Sequence, residues 1–337
     1  MKITLCYLTC LSALIVPEVF AGTMPEVTAD APAAGSPSLS PATSPSAGEH
    51  TVLPLLGDVA RAHGYDLPEP FGININYMNM RQNIDVDSIR FSGLGWPGYT
   101  FPADLFNIQA NHTRERSITK TVKLDTWLLP FMNVYALVGK TRGSSHSTVS
   151  VDADPTLAPF GPVIHAMNVS GDLKNLDFNL RFHGTTYGIG TVLAGGYENW
   201  YGLMDFNYTR TDFNILDGHT DAFTLTPRVG YRFTTPGVEA LSLPSGKLGV
   251  WVGTMYQNVQ QTFRGRLSDL GIPASFSGLM SLANPDGNGR FEVKQHLHSP
   301  WNLLVGANYE LTRSFNITTE VGFAERNSVL VSAEYRF

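Results

Sequence analysis

Alternation of apolar and polar side chains with a period of two is the feature of this sequence that most restricts its fold. The final stretch SVLVSAEYRF, residues 328–337, places mainly polar residues on one parity and, on the other, Val329, Val331, Ala333, Tyr335 and Phe337. Successive side chains of a strand point to opposite faces, so this stretch predicts a strand with one apolar and one polar face. The same design recurs in WNLLVGANYEL (301–311), FNITTEVGF (315–323) and AFTLTPRVGYRF (222–233). The apolar faces of these strands need either a second protein layer or lipid as their neighbour.

Aromatic residues gather near the ends of these predicted strands, and their position decides between the two neighbours. They are Trp200, Tyr201, Tyr231, Phe233, Trp301, Tyr309, Tyr335 and Phe337. In a membrane-spanning barrel, aromatic girdles mark the two interfaces and the apolar faces meet lipid, whereas a soluble sandwich needs no such girdles. A sheet in lipid must also close on itself, because an open edge would leave backbone polar groups unpaired. We therefore predict an all-β fold, a closed antiparallel transmembrane β-barrel.

The C-terminal pattern made by Val331, Ala333, Tyr335 and Phe337 carries a resemblance to a known class. From about residue 71 to residue 337 the sequence resembles bacterial outer-membrane β-barrel proteins, whose last strand commonly ends in an aromatic residue, usually Phe. The resemblance implies a location in the outer membrane of the Gram-negative envelope and a C-terminal assembly signal that the barrel-assembly machinery reads. It also implies outer-membrane lipid and periplasmic chaperones as partners. The pattern identifies the architecture but not a subfamily.

The predicted strands number about ten, an even number as bacterial barrels require. Strands that leave the periplasm are expected at 71–81, 132–141, 200–213, 247–262 and 315–323, and returning strands at 119–129, 184–197, 222–233, 301–311 and 328–337. Periplasmic turns are short at 130–131, 198–199 and 312–314, with a longer one at 234–246. Long extracellular connections are expected near 82–118, 143–183 and 263–299. Each of these has room for another hairpin, so twelve strands is the alternative.

Three predicted segments precede the barrel of residues 71–337. Residues 1–21 combine Lys2, an apolar run and the sequence Val19-Phe20-Ala21, which is typical of a cleaved secretory signal peptide. Residues 22–50 are rich in Pro, Ala and Ser, which predicts a disordered linker. Residues 51–70 predict a short helix, either a periplasmic cap or a plug in the lumen. Both cysteines, Cys6 and Cys10, precede the cleavage site, so we expect a mature chain without disulfides, catalytic thiols or cysteine-bound metal.

Charged residues of the predicted strands fall on the parity opposite to the apolar face, so we predict that they line the lumen. They are Lys123, Asp125, Asp205, Arg228, Arg232, Glu310, Glu320, Glu334 and Arg336. Small barrels have room only for their own side chains, and water-filled channels belong to barrels of about sixteen strands or more. Ten or twelve strands therefore predict a narrow polar lumen. We expect a non-enzymatic barrel, without a cofactor, for passive porin-like transport of small solutes or for a binding or structural role.

A second hypothesis is an outer-membrane enzyme that modifies lipid or, like the omptins, cleaves peptides. Asp85 and Asp87 lie two residues apart and so share one face of a strand, where with a histidine they could act in acid–base chemistry or hold Ca²⁺. Other candidate groups are His296, His298 and Ser299 in KQHLHSP and His146, Ser147, Asp152 and Asp154 in SSHSTVSVDAD. A serine nucleophile needs a base within hydrogen-bond reach, but neighbours in a strand face opposite ways. We therefore expect polar loop tips and rims here, and assign no catalytic residue and no metal site.

The overall charge bears on one class of partner. The formal net charge is −6, and no basic stripe is visible along the sequence. Nucleic-acid binding needs clustered cations to neutralise phosphates. We therefore expect no nucleic-acid partner.

Overall fold

The computed structural model describes residues 52–63, 67–96, 98–102, 105–157, 160–213, 219–236, 246–269 and 274–337. The predicted signal peptide (1–21) and linker (22–50) lie outside the described residues. The described part of the chain contains α1 (Gly57–Ala62), α2 (Gly161–Ser170) and α3 (Ala274–Ala283), together with a short 3-10 turn at Leu267–Asp269. Its other regular elements are strands.

Strands occupy most of the described chain. They are β1 (Phe71–Ser92), β2 (Gly95–Trp96), β3 (Tyr99–Thr100), β4 (Phe106–Leu129), β5 (Met132–Ala153), β6 (Leu176–Tyr197), β7 (Trp200–Phe213), β8 (His219–Thr235), β9 (Gly246–Arg266), β10 (Arg290–Leu297), β11 (Trp301–Glu310), β12 (Phe315–Phe323) and β13 (Arg326–Arg336). Ten of them form a closed antiparallel barrel in the order β1, β13, β12, β11, β9, β8, β7, β6, β5 and β4, and β4 pairs back to β1. The predicted closed barrel is confirmed, with ten strands and not twelve.

The two ends of the barrel differ. Turns at 130–131, 198–199 and 312–314 join neighbouring strands at one end, which we call the short-turn end. The opposite end, which we call the long-loop end, carries the longer connections that contain α2 and α3. The asymmetry is that of outer-membrane barrels, in which short turns face the periplasm and long loops face outside.

The sheet forks along β1. The first part of β1, from Gly72 to Gln82, pairs with β13, whereas the part from Ile84 to Ser92 pairs with β10. On its other side β10 pairs with residues 260–266 of β9. The sheet thus continues past the shorter β12 and β13, through β9, β10, β1, β4, β5 and β6. We call this continuation at the long-loop end the extension.

Residues of the extension were expected to lie in long connections, but the structure places them in strands. The prediction missed these strands because their apolar face points inward and not toward lipid. β4 begins at Phe106 and not at residue 119, and β5 ends at Ala153 and not at residue 141. In the added part of β5, Val149 and Val151 are buried, whereas the alternate residues are partly exposed. The apolar side chains here point inward, opposite to those of the membrane-spanning part. The lipid-facing apolar pattern therefore ends before the strands do.

The outer wall carries a continuous apolar band. Five valines lie opposite one another on the neighbouring strands β8, β9, β11, β12 and β13, namely Val229, Val252, Val305, Val321 and Val329. Their side chains are between 42% and 63% exposed. Contiguous exposed apolar surface of this kind marks an interaction surface, and on the outside of a closed barrel it is the surface that meets lipid.

Aromatic side chains border this band at both ends. At the short-turn end, the rings of Trp200 and Tyr231 pack with centroids 5.2 Å apart. Phe337 stacks on Phe71 in the same region, with centroids 6.1 Å apart. Toward the long-loop end, Tyr256 packs against Trp301 at 5.0 Å. Two aromatic borders around an apolar band are typical of barrels that cross a membrane.

The segment that precedes β1 lies against the short-turn end. The backbone N–H of Leu55 donates to the carbonyl oxygen of Leu128 at 2.9 Å, and that of Trp127 donates to the carbonyl oxygen of Pro70 at 2.9 Å. α1 is only six residues long, and Val59 on it is largely exposed. Hydrogen bonds to β4 thus hold the described part of residues 52–70 beside the barrel.

Candidate functional site in the barrel interior and the extension

A buried ion pair occupies the interior near the short-turn end. Nη1 of Arg336 lies 3.0 Å from Oδ1 of Asp125, and both residues are 6% exposed. Asn74 and Asn133 donate side-chain hydrogen bonds to the two carboxylate oxygens of Asp125, at 2.9 and 2.7 Å. Arg336 also contacts Glu334. A buried charge is costly unless it is paired and hydrogen-bonded, and Asp125 meets both conditions.

A second ion pair crosses the lumen at mid-height. Arg228 on β8 and Glu320 on β12 form a bidentate pair, with Nε–Oε2 at 2.6 Å and Nη2–Oε1 at 3.0 Å. β9 and β11 lie between these two strands in the sheet. The two side chains can therefore meet only across the inside of the barrel. Nε1 of Trp251 donates to the same carboxylate at 2.9 Å.

The remaining predicted lumen residues also contact interior groups. The hydroxyl of Tyr135 donates to Oδ1 of Asp205 at 2.7 Å, and Nζ of Lys123 lies 4.9 Å from the centre of the Tyr135 ring. Arg232 lies 4.0 Å from Glu310. The interior of the membrane-spanning part is thus crossed by paired side chains of both charge signs.

A further polar layer lies between these pairs and the extension, and sequence reasoning did not find it. Gln82 donates to the buried Glu115 at 3.4 Å, and Gln295 donates to Gln261. Arg326, 2% exposed, enters the same region from β13. Glu115 was expected to lie within the long connection of residues 82–118, so its strand parity was not considered. Its parity within β4, which points it inward, was the signal that could have identified it.

The inside of the extension is apolar. Its core contains, among others, Phe91, Phe106, Val149, Val151, Phe182, Phe263 and Phe291, and the helices add Ile164 from α2 and Met280 from α3. Phe182 on β6 and Phe263 on β9 belong to strands that are not neighbours, yet their rings stack with centroids 6.1 Å apart. We call this cluster the extension core. It fills the interior at the long-loop end with packed side chains.

The structure brings together two aspartates and two histidines that lie far apart in the sequence. Nδ1 of His298 lies 2.9 Å from Oδ2 of Asp85, and Nδ1 of His296 lies 2.9 Å from Oδ1 of Asp87. The pairing of β1 with β10 places them on the outer face of the extension, where all four side chains are about half exposed. The hydrogen bond that His298 donates to Asp85, and then the negative charge of Asp85, raise the pKa of His298 above its ordinary value.

The other candidate catalytic groups are not assembled into one site. The Ser299 hydroxyl contacts backbone atoms of Trp301, and Ser147 accepts a hydrogen bond from Thr113 at 2.9 Å. His146 pairs with Asn179 and Asp177, on the other face of β5 from Ser147. The hydroxyls of Ser299 and Ser147 are therefore each bonded to a group that cannot act as a general base.

Asp152 and Asp154 have structural partners. Asp152 lies 3.0 Å from Nδ1 of His165 on α2. Asp154 accepts hydrogen bonds from the backbone and the side chain of Thr156, and these bonds lower the pKa of its carboxyl group. Both aspartates thus help to fix the connection between β5 and α2.

Among the described residues, no group of three or more His, Cys, Asp or Glu side chains is placed to hold a metal ion. No helix among the described residues is long and apolar enough to cross a membrane.

Comparisons with known proteins give only distant likenesses to solved structures. No protein-family model and no curated protein sequence matches the chain. Among solved structures, the β-domain of the Bordetella autotransporter BrkA is similar at a TM-score of 0.38 and 11% identity, covering 80% of this chain and 100% of that one. The translocator domain of NalP from Neisseria meningitidis gives 0.34 and 12%, covering 83% and 92%. The toluene transporter TodX from Pseudomonas putida gives 0.30 and 10%, covering 80% and 90%. At these values the comparisons carry no inference about what the chain binds or transports.

Proposed function

Because the chain is a β-barrel of the bacterial outer-membrane class, we propose that it is a closed barrel with a binding or structural role, which holds its extension outside the membrane. Passive transport of small solutes, expected from the sequence as one form of a non-enzymatic barrel, is the alternative. The observation that carries the proposal is the extension core. Phe91, Phe263 and Phe291 in it are at most 3% exposed, so the packed end leaves little room for a solute path.

The ion pairs inside the membrane-spanning part support the same proposal. Arg228 and Glu320 reach each other through the interior from strands three places apart in the ring, and removing one partner from a buried pair costs roughly 3 to 5 kcal/mol. A solute that passes must separate this pair or move around it. The small circumference of a ten-stranded barrel also favours an interior filled by its own side chains.

Conductance in planar bilayers tests the proposal. Full-length protein folded into bilayers is expected to give no stable single-channel steps, with a wide porin measured in the same bilayers as the positive control. A variant with Phe263→Ser and Phe291→Ser, which loosens the extension core, is expected to give steps if its barrel still shows heat-modifiable migration on gels. Ohmic steps from the unchanged protein would overturn the proposal and favour solute transport.

The orientation that the proposal requires is tested separately. Cysteine placed at Asp286, in the connection that follows α3, should react with a membrane-impermeant label on intact cells. Cysteine placed at Asn199, in a short turn, should react only after the outer membrane is opened. The reverse result would place the extension in the periplasm.

The pairing of Asp85 with His298 and of Asp87 with His296 favours an enzyme as the second candidate. A carboxylate hydrogen-bonded to a histidine is a common acid–base unit. Turnover of a lipid or peptide substrate that disappears in Asp85→Asn would support it. Turnover that is unchanged in Asp85→Asn and in Asp87→Asn would assign these residues to the stability of the β1–β10 pairing.

A further inference from the structure

One wall of the barrel carries a group of exposed basic side chains that only the strand pairing brings together. We call it the basic face, and it consists of Arg81 on β1, Arg114, Arg116 and Lys120 on β4, Lys140 and Arg142 on β5, and Arg181 and His183 on β6. Lys120 lies opposite Lys140, and Arg81 lies opposite Arg116. Like charges directly opposite one another in a sheet are destabilising. An anion bound at the basic face would reduce this repulsion.

No carboxylate supplies that negative charge within the described residues. None of the eight side chains of the basic face forms an ion pair there; Lys140 bonds the hydroxyl of Thr185 at 2.7 Å, and Lys120 lies 5.9 Å from the centre of the Tyr77 ring. Some cations elsewhere on the outer wall are paired. Arg264 pairs with Glu292 at 2.6 Å, for example. The basic face thus gathers its basic side chains without a carboxylate partner among the described residues.

The basic face begins at the border of the apolar band. Val122, Val138 and Tyr187 lie opposite one another on β4, β5 and β6, and all three are exposed apolar or aromatic side chains. The next outward-facing position along each strand toward the long-loop end is Lys120 on β4 and Lys140 on β5. Since the apolar band meets hydrocarbon, these cations lie at the depth of lipid headgroups.

A groove lies within the apolar band, on the short-turn side of Lys120 and Lys140. Its volume is about 770 Å³, within the range of roughly 300 to 1,000 Å³ of ordinary ligand pockets. Outward-facing residues that line it include Leu124, Val134, Ala136, Ile189, Tyr208 and Phe223. Ala136 lies four residues before Lys140 on β5, which is about 13 Å along a strand. The cations and the groove are therefore close enough to contact the headgroup and one chain of a single lipid.

We propose that this wall binds a phosphorylated lipid of the leaflet at the long-loop end, with phosphate on Lys120, Lys140 and Arg142 and an acyl chain in the groove. Arg and Lys are the side chains that bind phosphate oxygens through charge-assisted hydrogen bonds. In an outer membrane, the lipid of the exposed leaflet that has this chemistry is a phosphorylated glycolipid. The inference goes beyond the proposed function, since it holds whether or not the lumen conducts.

Binding of lipid A to the full-length protein in zwitterionic micelles tests the site. Lipid A with its phosphates should bind, whereas dephosphorylated lipid A should bind more weakly and inorganic phosphate at equal concentration should not compete. The combined variant Lys120→Ala, Lys140→Ala, Arg142→Ala should bind about 100-fold more weakly, since each of the three cations near an anionic lipid surface contributes a change of about fivefold. Ala136→Trp, which narrows the groove, should also weaken binding.

Two matched variants keep the result interpretable. Arg264→Ala with Lys294→Ala removes two exposed cations from another wall and should leave lipid A binding unchanged. Lys120→Arg with Lys140→Arg keeps both charges and should also bind, which separates loss of charge from a failure to fold. Equal binding by the triple alanine variant and the unchanged protein would overturn the proposal. Equal competition by inorganic phosphate would reassign the basic face to free anions, and neither outcome bears on conductance.

Discussion

Replacing Val252 with arginine should strongly destabilise the barrel in a membrane, because this side chain lies at the middle of the apolar band. The outward-facing residues of β9 within the band run from Leu248 to Tyr256, so Val252 is central. It is 63% exposed and lies between Val229 on β8 and Val305 on β11. An arginine here has no described carboxylate as its direct neighbour in the sheet.

The size of the effect follows from depth. Four residues on either side of Val252 amount to about 13 Å along the strand, or about 10 Å along the membrane normal at a strand tilt of about 40°. Arginine that faces lipid at the midplane costs roughly 2 to 4 kcal/mol, and near an interface about 0 to 1 kcal/mol. The corresponding change in the folding equilibrium is roughly 30- to 1,000-fold at the midplane. Asn258→Arg, at the first outward position beyond Tyr256, is the matched control.

Urea titration of folding into phosphatidylcholine vesicles measures both variants. Heat-modifiable migration on gels and tryptophan fluorescence report the folded fraction. Val252→Arg should lose about 2 to 4 kcal/mol relative to the unchanged protein, and Asn258→Arg no more than about 1 kcal/mol. If the two variants lose the same free energy of unfolding, the outer wall does not face lipid in the way inferred here.

Three further predictions concern single positions. Deletion of Phe337, whose N–H donates to the carbonyl oxygen of Phe71, should lower the outer-membrane level of the protein and leave precursor in the periplasm, as measured by cell fractionation. Gly306→Ser should reduce the free energy of unfolding by about 1 to 3 kcal/mol, seen as a lower thermal midpoint, because the ring of Trp251 fills the space for a Cβ atom. The raised pKa of His298 predicts a contribution to stability that is complete below about pH 6.5 and is lost as the pH rises through that pKa, measured by comparison with Asp85→Asn.

Each of these has its own control or contrary outcome. An unchanged envelope fraction after deletion of Phe337 would show that the terminal residue is not part of an assembly signal. Gly195→Ser should be tolerated, because no atom lies within 4 Å of the position of its Cβ. A stability difference between the unchanged protein and Asp85→Asn that grows with rising pH would contradict the assigned sign.

The ten strands of the membrane-spanning part could be predicted from the sequence because each has an apolar side that must face lipid. The same parity argument placed Asp125 and Glu320 on the opposite face, and in the structure both carboxylates are buried beside arginines. Such inferences need only the period of a strand. They do not depend on which strand pairs with which.

The extension and its surfaces depend on pairing, which a single sequence does not show. His298 and Asp85 are separated by 213 positions, and they meet because β10 replaces β13 as the partner of β1. Lys120 and Lys140 form no basic stripe along the chain, yet they lie directly opposite each other in the sheet. The extension core was missed for a different reason, because Phe91 and Val151 face inward in segments whose polar residues suggested loops.

The fork along β1 has a consequence for the order in which the chain closes. In the extension, β1 completes its pairing with β10, whose last residue is Leu297, whereas the membrane-spanning ring needs β13 and its backbone contact at Phe337. Contacts between distant parts of a chain form slowly because a long loop must first be closed. Pairing with β10 holds β1 close to β11, and the segment that remains to be closed is then only the hairpin of β12 and β13. The fork thus lets the barrel close in two steps, a long-range pairing of β1 with β10 and then a shorter closure by β12 and β13.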